Sequence, residues 1–135
     1  MLTIERSHAM ERAVQIFAAI NFLAMGLSHI VQHRAWKEFF VFLHARGNVG
    51  NFINAFLALG MGSLIFAFHR VWNGIPLLLT LYALASLAKG SLFLVAPQLG
   101  LRSMENATNK DSRLFILPGV MLTALGAALL YHLAT

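Results

Sequence analysis

The sequence predicts an all-α protein: a four-transmembrane-helix bundle with a short interfacial amphipathic helix between its first and second spans. Three observations carry this. Of 135 residues, 59% are hydrophobic and 11% charged, against about a quarter charged in soluble domains. The apolar residues gather into four runs, 13–31, 49–68, 75–96 and 114–133. Each is about 20 residues, matching a ~30 Å hydrocarbon core at 1.5 Å per residue. The runs are also apolar all round, as Leu114–Leu133 (LFILPGVMLTALGAALLYHL) shows, whereas a soluble bundle keeps polar outer faces. The chain 1–135 therefore reads as a single integral membrane domain.

Taken in order, the first run follows a charged leader, Met1–Arg12, that holds Glu5 and Glu11 beside Arg6 and Arg12. It is longer than a signal-peptide core and ends in Ser28-His29-Ile30, without a small-x-small cleavage site, so it is read as a retained helix. In the connection to the second run, Trp36, Phe39, Phe40 and Leu43 fall at i, i+3, i+4 and i+7. With Lys37 and Arg46 beside them, they predict a short helix in the headgroup region, with a core-packed connector as the alternative. Gly47-Asn48 ends this segment and opens the second span. The connection 69–74 is tight, so the second and third spans form an antiparallel hairpin. Within the third span the only charge is Lys89. The connection that begins at Pro97 is polar through Ser112 and reads as a loop. Small residues supply close-packing surfaces: Ala55, Ala58 and Gly62 in the second span, and Gly119, Thr123, Ala124 and Ala128 in the fourth. Such surfaces serve either the bundle itself or self-association.

Charge sets the orientation. Four spans put both termini on one side. Arg34, Lys37, Arg46, Arg102, Lys110 and Arg113 lie in the two long connections, against Arg6, Arg12 and Arg70 on the terminal side. The positive-inside rule places the long connections in the cytoplasm and both termini outside, with a bacterial inner membrane as the expected location. The net charge of +5 does not indicate nucleic acid, because the basic residues are scattered instead of forming one stripe. No cysteine is present, which removes disulfides, thiolate metal sites and cysteine nucleophiles.

Depth brings one polar set together. Lys89 lies seven residues before the end of its run, about 10 Å below the boundary. The second span starts on that same side, so Asn48, Asn51 and Asn54 descend from the interface to roughly 9 Å. The first span ends there, bringing His29 and His33. Lys89, Asn51, Asn54 and His29 are thus the candidate ligand-binding residues, a cationic, amide-lined level suited to a small anion or lipid headgroup. The competing reading lets Lys89 snorkel to the interface and the asparagines bond between helices. His29 and His33, at i, i+4, are a weaker metal candidate, with His44 or Glu38 completing the set. His29 and the pair His69 and His132 lie at opposite ends, so bis-histidine haem ligation fails and no cofactor is expected. The terminal side collects His69, Arg70, Trp72, Tyr131, His132 and Glu11-Arg12, read as interfacial belt chemistry.

The stretch from Gly62 to Pro97 contains His69-x-x-Trp72, then Thr80, Lys89-Gly90 and Pro97. It resembles a pattern in small four-helix integral membrane proteins of bacteria that lack an assigned activity. The overall plan also resembles DoxX-like membrane proteins. The resemblance implies a recurring layout around His69 and Lys89 and supplies no catalytic residue. Membrane glutathione and eicosanoid enzymes, fluoride channels and small multidrug exporters each lack their defining residues here. The expected role is a non-enzymatic accessory or scaffold component of a membrane assembly, in contact with lipids, copies of itself or a larger complex. The alternative is binding or transport of a small anion or headgroup at the Lys89 level. An enzyme ranks third, because no nucleophile–base or acid–base couple falls within the spans.

Overall fold

In a computed structural model that describes residues 1–135, apolar periodicity and chain punctuation resolve into six α-helices and no strand. They are α1 (Leu2–Val31), α2 (His33–Ala45), α3 (Asn48–Phe68), α4 (Pro76–Val95), α5 (Pro97–Thr108) and α6 (Ile116–Ala134), with a 3-10 turn Ser112–Phe115 leading into α6. Four segments, containing α1, α3, α4 and α6, are long and apolar enough to cross a membrane.

α1 begins at Leu2 instead of near residue 13. Its leader is rich in straight-chain helix formers and has no Gly or Pro to interrupt it. Thirty residues give a helix of about 45 Å. Its first turns therefore reach well beyond an apolar slab of ~30 Å.

Packing is pairwise. α1 lies chiefly against α6, and α3 against α4. Small residues set both seams. A Cβ added at Gly90 would meet the Leu59 amide nitrogen at 2.5 Å, and one at Gly62 the Leu87 nitrogen at 2.5 Å. In the other pair, Gly26 faces Thr123 and Gly119, and Gly126 faces Ala19. Most of the small residues singled out in the sequence thus hold the bundle together, while Ala124 is exposed. Val14, Ala18, Ala19 and Phe22 of α1, Ile65 of α3, Leu79 and Ala83 of α4 and Leu129 of α6 form one buried cluster. It joins the two pairs.

The short helices close one end. α2 forms where the Trp36–Leu43 stripe predicted a helix, and Leu43 is buried. The elbow to α3 turns at Gly47 with φ of 58°, a conformation open mainly to glycine. The segment from Pro97, read as a loop, is helical to Thr108 and packs on α2, α3 and α4. Its buried face is Gly100 and Met104. Asp111 then caps the 3-10 turn by accepting a bond of 2.9 Å from the Arg113 backbone N–H. That bond holds its carboxyl below the usual carboxylate range. At the opposite end the α3–α4 turn passes through Gly74, φ 62°.

Candidate functional site

The set expected around Lys89 does not converge. Asn51 is fully buried and its Nδ2 donates to the Phe93 carbonyl at 3.0 Å. The reason is local. Phe93 sits four residues before Pro97, which has no N–H to offer that carbonyl. Asn51 supplies the missing donor and so caps α4 from α3. Its Oδ1 is buried against Gly100 of α5 without a hydrogen-bond partner. Asn54 is half-buried one turn on, with no side-chain hydrogen bond. His29 donates from Nδ1 to the Met25 carbonyl at 2.7 Å and stacks on Trp36, ring centroids 3.9 Å apart. Lys89 is exposed, its ammonium 5.8 Å from the Phe93 ring centroid, and bonds none of these residues. The lysine thus faces outward, the geometry of the snorkelling alternative.

The weaker metal pair also separates. His33 Nδ1 lies 3.0 Å from Ser112 Oγ, while His29 is taken up by Met25 and Trp36. No group of three or more His, Asp or Glu side chains is placed to hold a metal ion.

The buried polar centre lies at the other end. The α3–α4 connection turns His69 inward instead of leaving it in an interfacial belt, and it is fully buried. Gln15 of α1, 6% exposed, places Nε2 at 3.1 Å from His69 Nε2. Thr80 of α4, fully buried, places Oγ1 at 3.2 Å from His69 Nδ1 and 2.8 Å from the Val71 carbonyl.

With the Gln15 amide nitrogen turned toward the ring, one proton arrangement satisfies all of these contacts. The single Thr80 hydroxyl proton goes to Val71, a carbonyl that can only accept. Thr80 Oγ1 must then accept from His69 Nδ1–H. Nε2 is left as a bare lone pair, which the Gln15 amide N–H fills. The histidine is therefore neutral, protonated at Nδ1, and tied to three elements of the bundle. Burial pushes its pKa down from the ordinary value, opposed by the nearby Glu11 carboxylate and by a backbone hydrogen bond.

A cleft of about 660 Å³ opens over this network, lined by Glu11, Arg12, Gln15, Asn73 and His132 among others. Gln15 and Thr80 are the residues that the sequence reading missed as a site. Their signal was present. Each is a hydrogen-bonding side chain near the terminal-side end of an apolar run, at the same level as His69. Two residues of the His69…Thr80…Lys89 pattern thus touch each other, while the third stands apart.

Comparisons of the chain with protein-family models, with curated proteins and with solved structures return no match. The four long apolar helices define its class, a helical bundle with the build of a small multi-pass membrane protein.

Proposed function

We propose that this chain is a multi-pass inner-membrane protein acting as a non-enzymatic accessory component that packs against other membrane proteins or copies of itself. The carrying observation is the outward Lys89. It is an ammonium at membrane depth on the outer face of α4, without a carboxylate partner in its own chain. A charge at such depth costs roughly 2.5–3.5 kcal/mol near mid-bilayer unless a counter-charge reaches it. A carboxylate on a neighbouring membrane protein is the counter-charge that this reading supplies. The surrounding surface is apolar, with Leu78, Leu81, Leu92 and Val95 of the same helix exposed.

A second reading uses the same residue. From seven residues inside the run, the lysine reaches a headgroup phosphate at the interface, and its contact is then a lipid. A photo-crosslinker at Leu92, one turn from Lys89, separates the two. Discrete protein adducts that disappear in Lys89→Met support the packing role. Lipid adducts alone favour the headgroup reading.

The orientation that accompanies this reading has the α1–α3 and α4–α6 connections in the cytoplasm, on the six-to-three Lys and Arg bias. It expects cytoplasmic reporter activity at Ser103 and external activity after Thr135. A cytoplasmic signal at Thr135 would reverse the orientation.

A further inference from the structure

The cleft above Gln15 has a chemistry of its own. Glu11 and Gln15 are one turn apart on α1, at i and i+4, and both line the cleft. Because neutral His69 draws the Gln15 N–H inward, the amide carbonyl is the end left for the cleft. Gln15 Oε1 makes no protein hydrogen bond, yet is absent from the buried atoms that lack one. It is therefore open to the cleft. The floor thus presents two acceptors on one helix face, a carboxylate and an amide oxygen. Glu11 is only loosely paired, 3.5 Å from an exposed His8. Arg12 lines the same cleft on the next position and forms no ion pair with Glu11. Arg12, without an ion-pair partner, thus stands beside the Gln15 carbonyl and a Glu11 carboxylate whose one partner is the exposed His8.

We propose that this cleft binds a protonated primary amine carried on an anionic group, the chemistry of an ethanolamine phosphate. The ammonium donates to the Glu11 carboxylate and the Gln15 carbonyl, and Arg12 meets the phosphate. His69 is a positioning residue here. Were its Nε2 protonated, the Gln15 amide would turn over to accept that proton. The cleft would then face an NH2 donor in place of an acceptor. This inference does not depend on what Lys89 contacts.

The decisive comparison removes the donors and keeps the charge. The detergent-solubilised protein is equilibrated with phosphatidylethanolamine, phosphatidylcholine and phosphatidylglycerol of identical acyl chains, and retained lipid is read by native mass spectrometry. Phosphatidylcholine keeps the positive charge but has no N–H. The expected result is retention of phosphatidylethanolamine over both others by about tenfold, the ratio given by 1.4 kcal/mol of differential affinity. Glu11→Gln should bring that ratio close to one without changing the circular-dichroism spectrum, and Lys110→Gln at the far end should leave it unchanged. Added phosphoethanolamine separates the two sources. Displacement of the lipid identifies a free small molecule as ligand, and its failure identifies the lipid headgroup. Phosphatidylcholine retained as well as phosphatidylethanolamine, phosphatidylglycerol retained better, or a preference that survives Glu11→Gln would overturn the assignment.

Discussion

The two ends of the bundle use polar side chains in opposite ways. At the end closed by α2 and α5, the buried Asn51 and His29 are taken up by the backbone, while His33 bonds Ser112. Asn51 caps the Phe93 carbonyl that Pro97 leaves bare, and His29 bonds Met25 one turn back. At the open end, Gln15 and Thr80 each bond His69, and the chain they form reaches a cleft. A polar group in a low-dielectric interior costs free energy unless it finds a partner. Whether that partner is a carbonyl or a titratable ring decides what the site can do. The first arrangement is fixed. The second can change its state with one proton.

Substitutions can break either end separately. The largest effect is expected at the closed end from Gly100→Leu. A side chain there collides with Asn51 and drives it off the Phe93 carbonyl. The expected loss is about 3 kcal/mol, the upper range for overpacking, read by denaturant titration in detergent. A tolerated leucine would show that α5 is loosely attached. Thr80→Val at the open end should cost about 1–2 kcal/mol, because it strands both the His69 Nδ1–H and the Val71 carbonyl. If its cost matched that of an exposed site, the network would not be closed as described.

Acid provides a gentler perturbation of the open end. Burial lowers the His69 pKa below its ordinary value of 6.5, so the unfolded chain binds the proton first as pH falls. Its contribution to stability is complete above pH 6.5 and is lost as pH falls from there through the folded-state pKa. Melting temperature should therefore drop as pH is lowered from 7, and His69→Leu should flatten that slope. An unchanged slope would assign the acid sensitivity elsewhere. The smallest effect is expected from Lys89→Met. An exposed side chain without an internal hydrogen bond should change the stability of the isolated protein by no more than about 0.5 kcal/mol. A large loss would mean that the ammonium holds the bundle together.

Composition and run length made the four long helices legible, because a 20-residue apolar segment has few other solutions. The helical nature of α2 was legible in Trp36, Phe39, Phe40 and Leu43. α5 was hidden by its polar residues, although Pro97, Gly100, Leu101 and Met104 repeat the same i, i+3, i+4, i+7 spacing. A buried glycine does not register as hydrophobic, so the stripe looked broken. Depth arithmetic put Lys89, Asn51, Asn54 and His29 at one level but could not give their azimuth around each helix. Azimuth separates an inward asparagine from an outward lysine. His69 closes a span and so has the sequence signature of an interfacial residue, and only the path of the turn after Phe68 carries its ring inward.

The central claim is that the polar centre of this protein is a neutral His69 held between Gln15 and Thr80. Nitrogen-15 NMR of the histidine side chains in bicelles tests it directly, with Gln15→Met and Thr80→Val used to assign the His69 signals. At pH 7 the account predicts a protonated Nδ1 and a hydrogen-bonded, unprotonated Nε2, with charging only below pH 6.5. An imidazolium at pH 7, or the proton on Nε2, would contradict it.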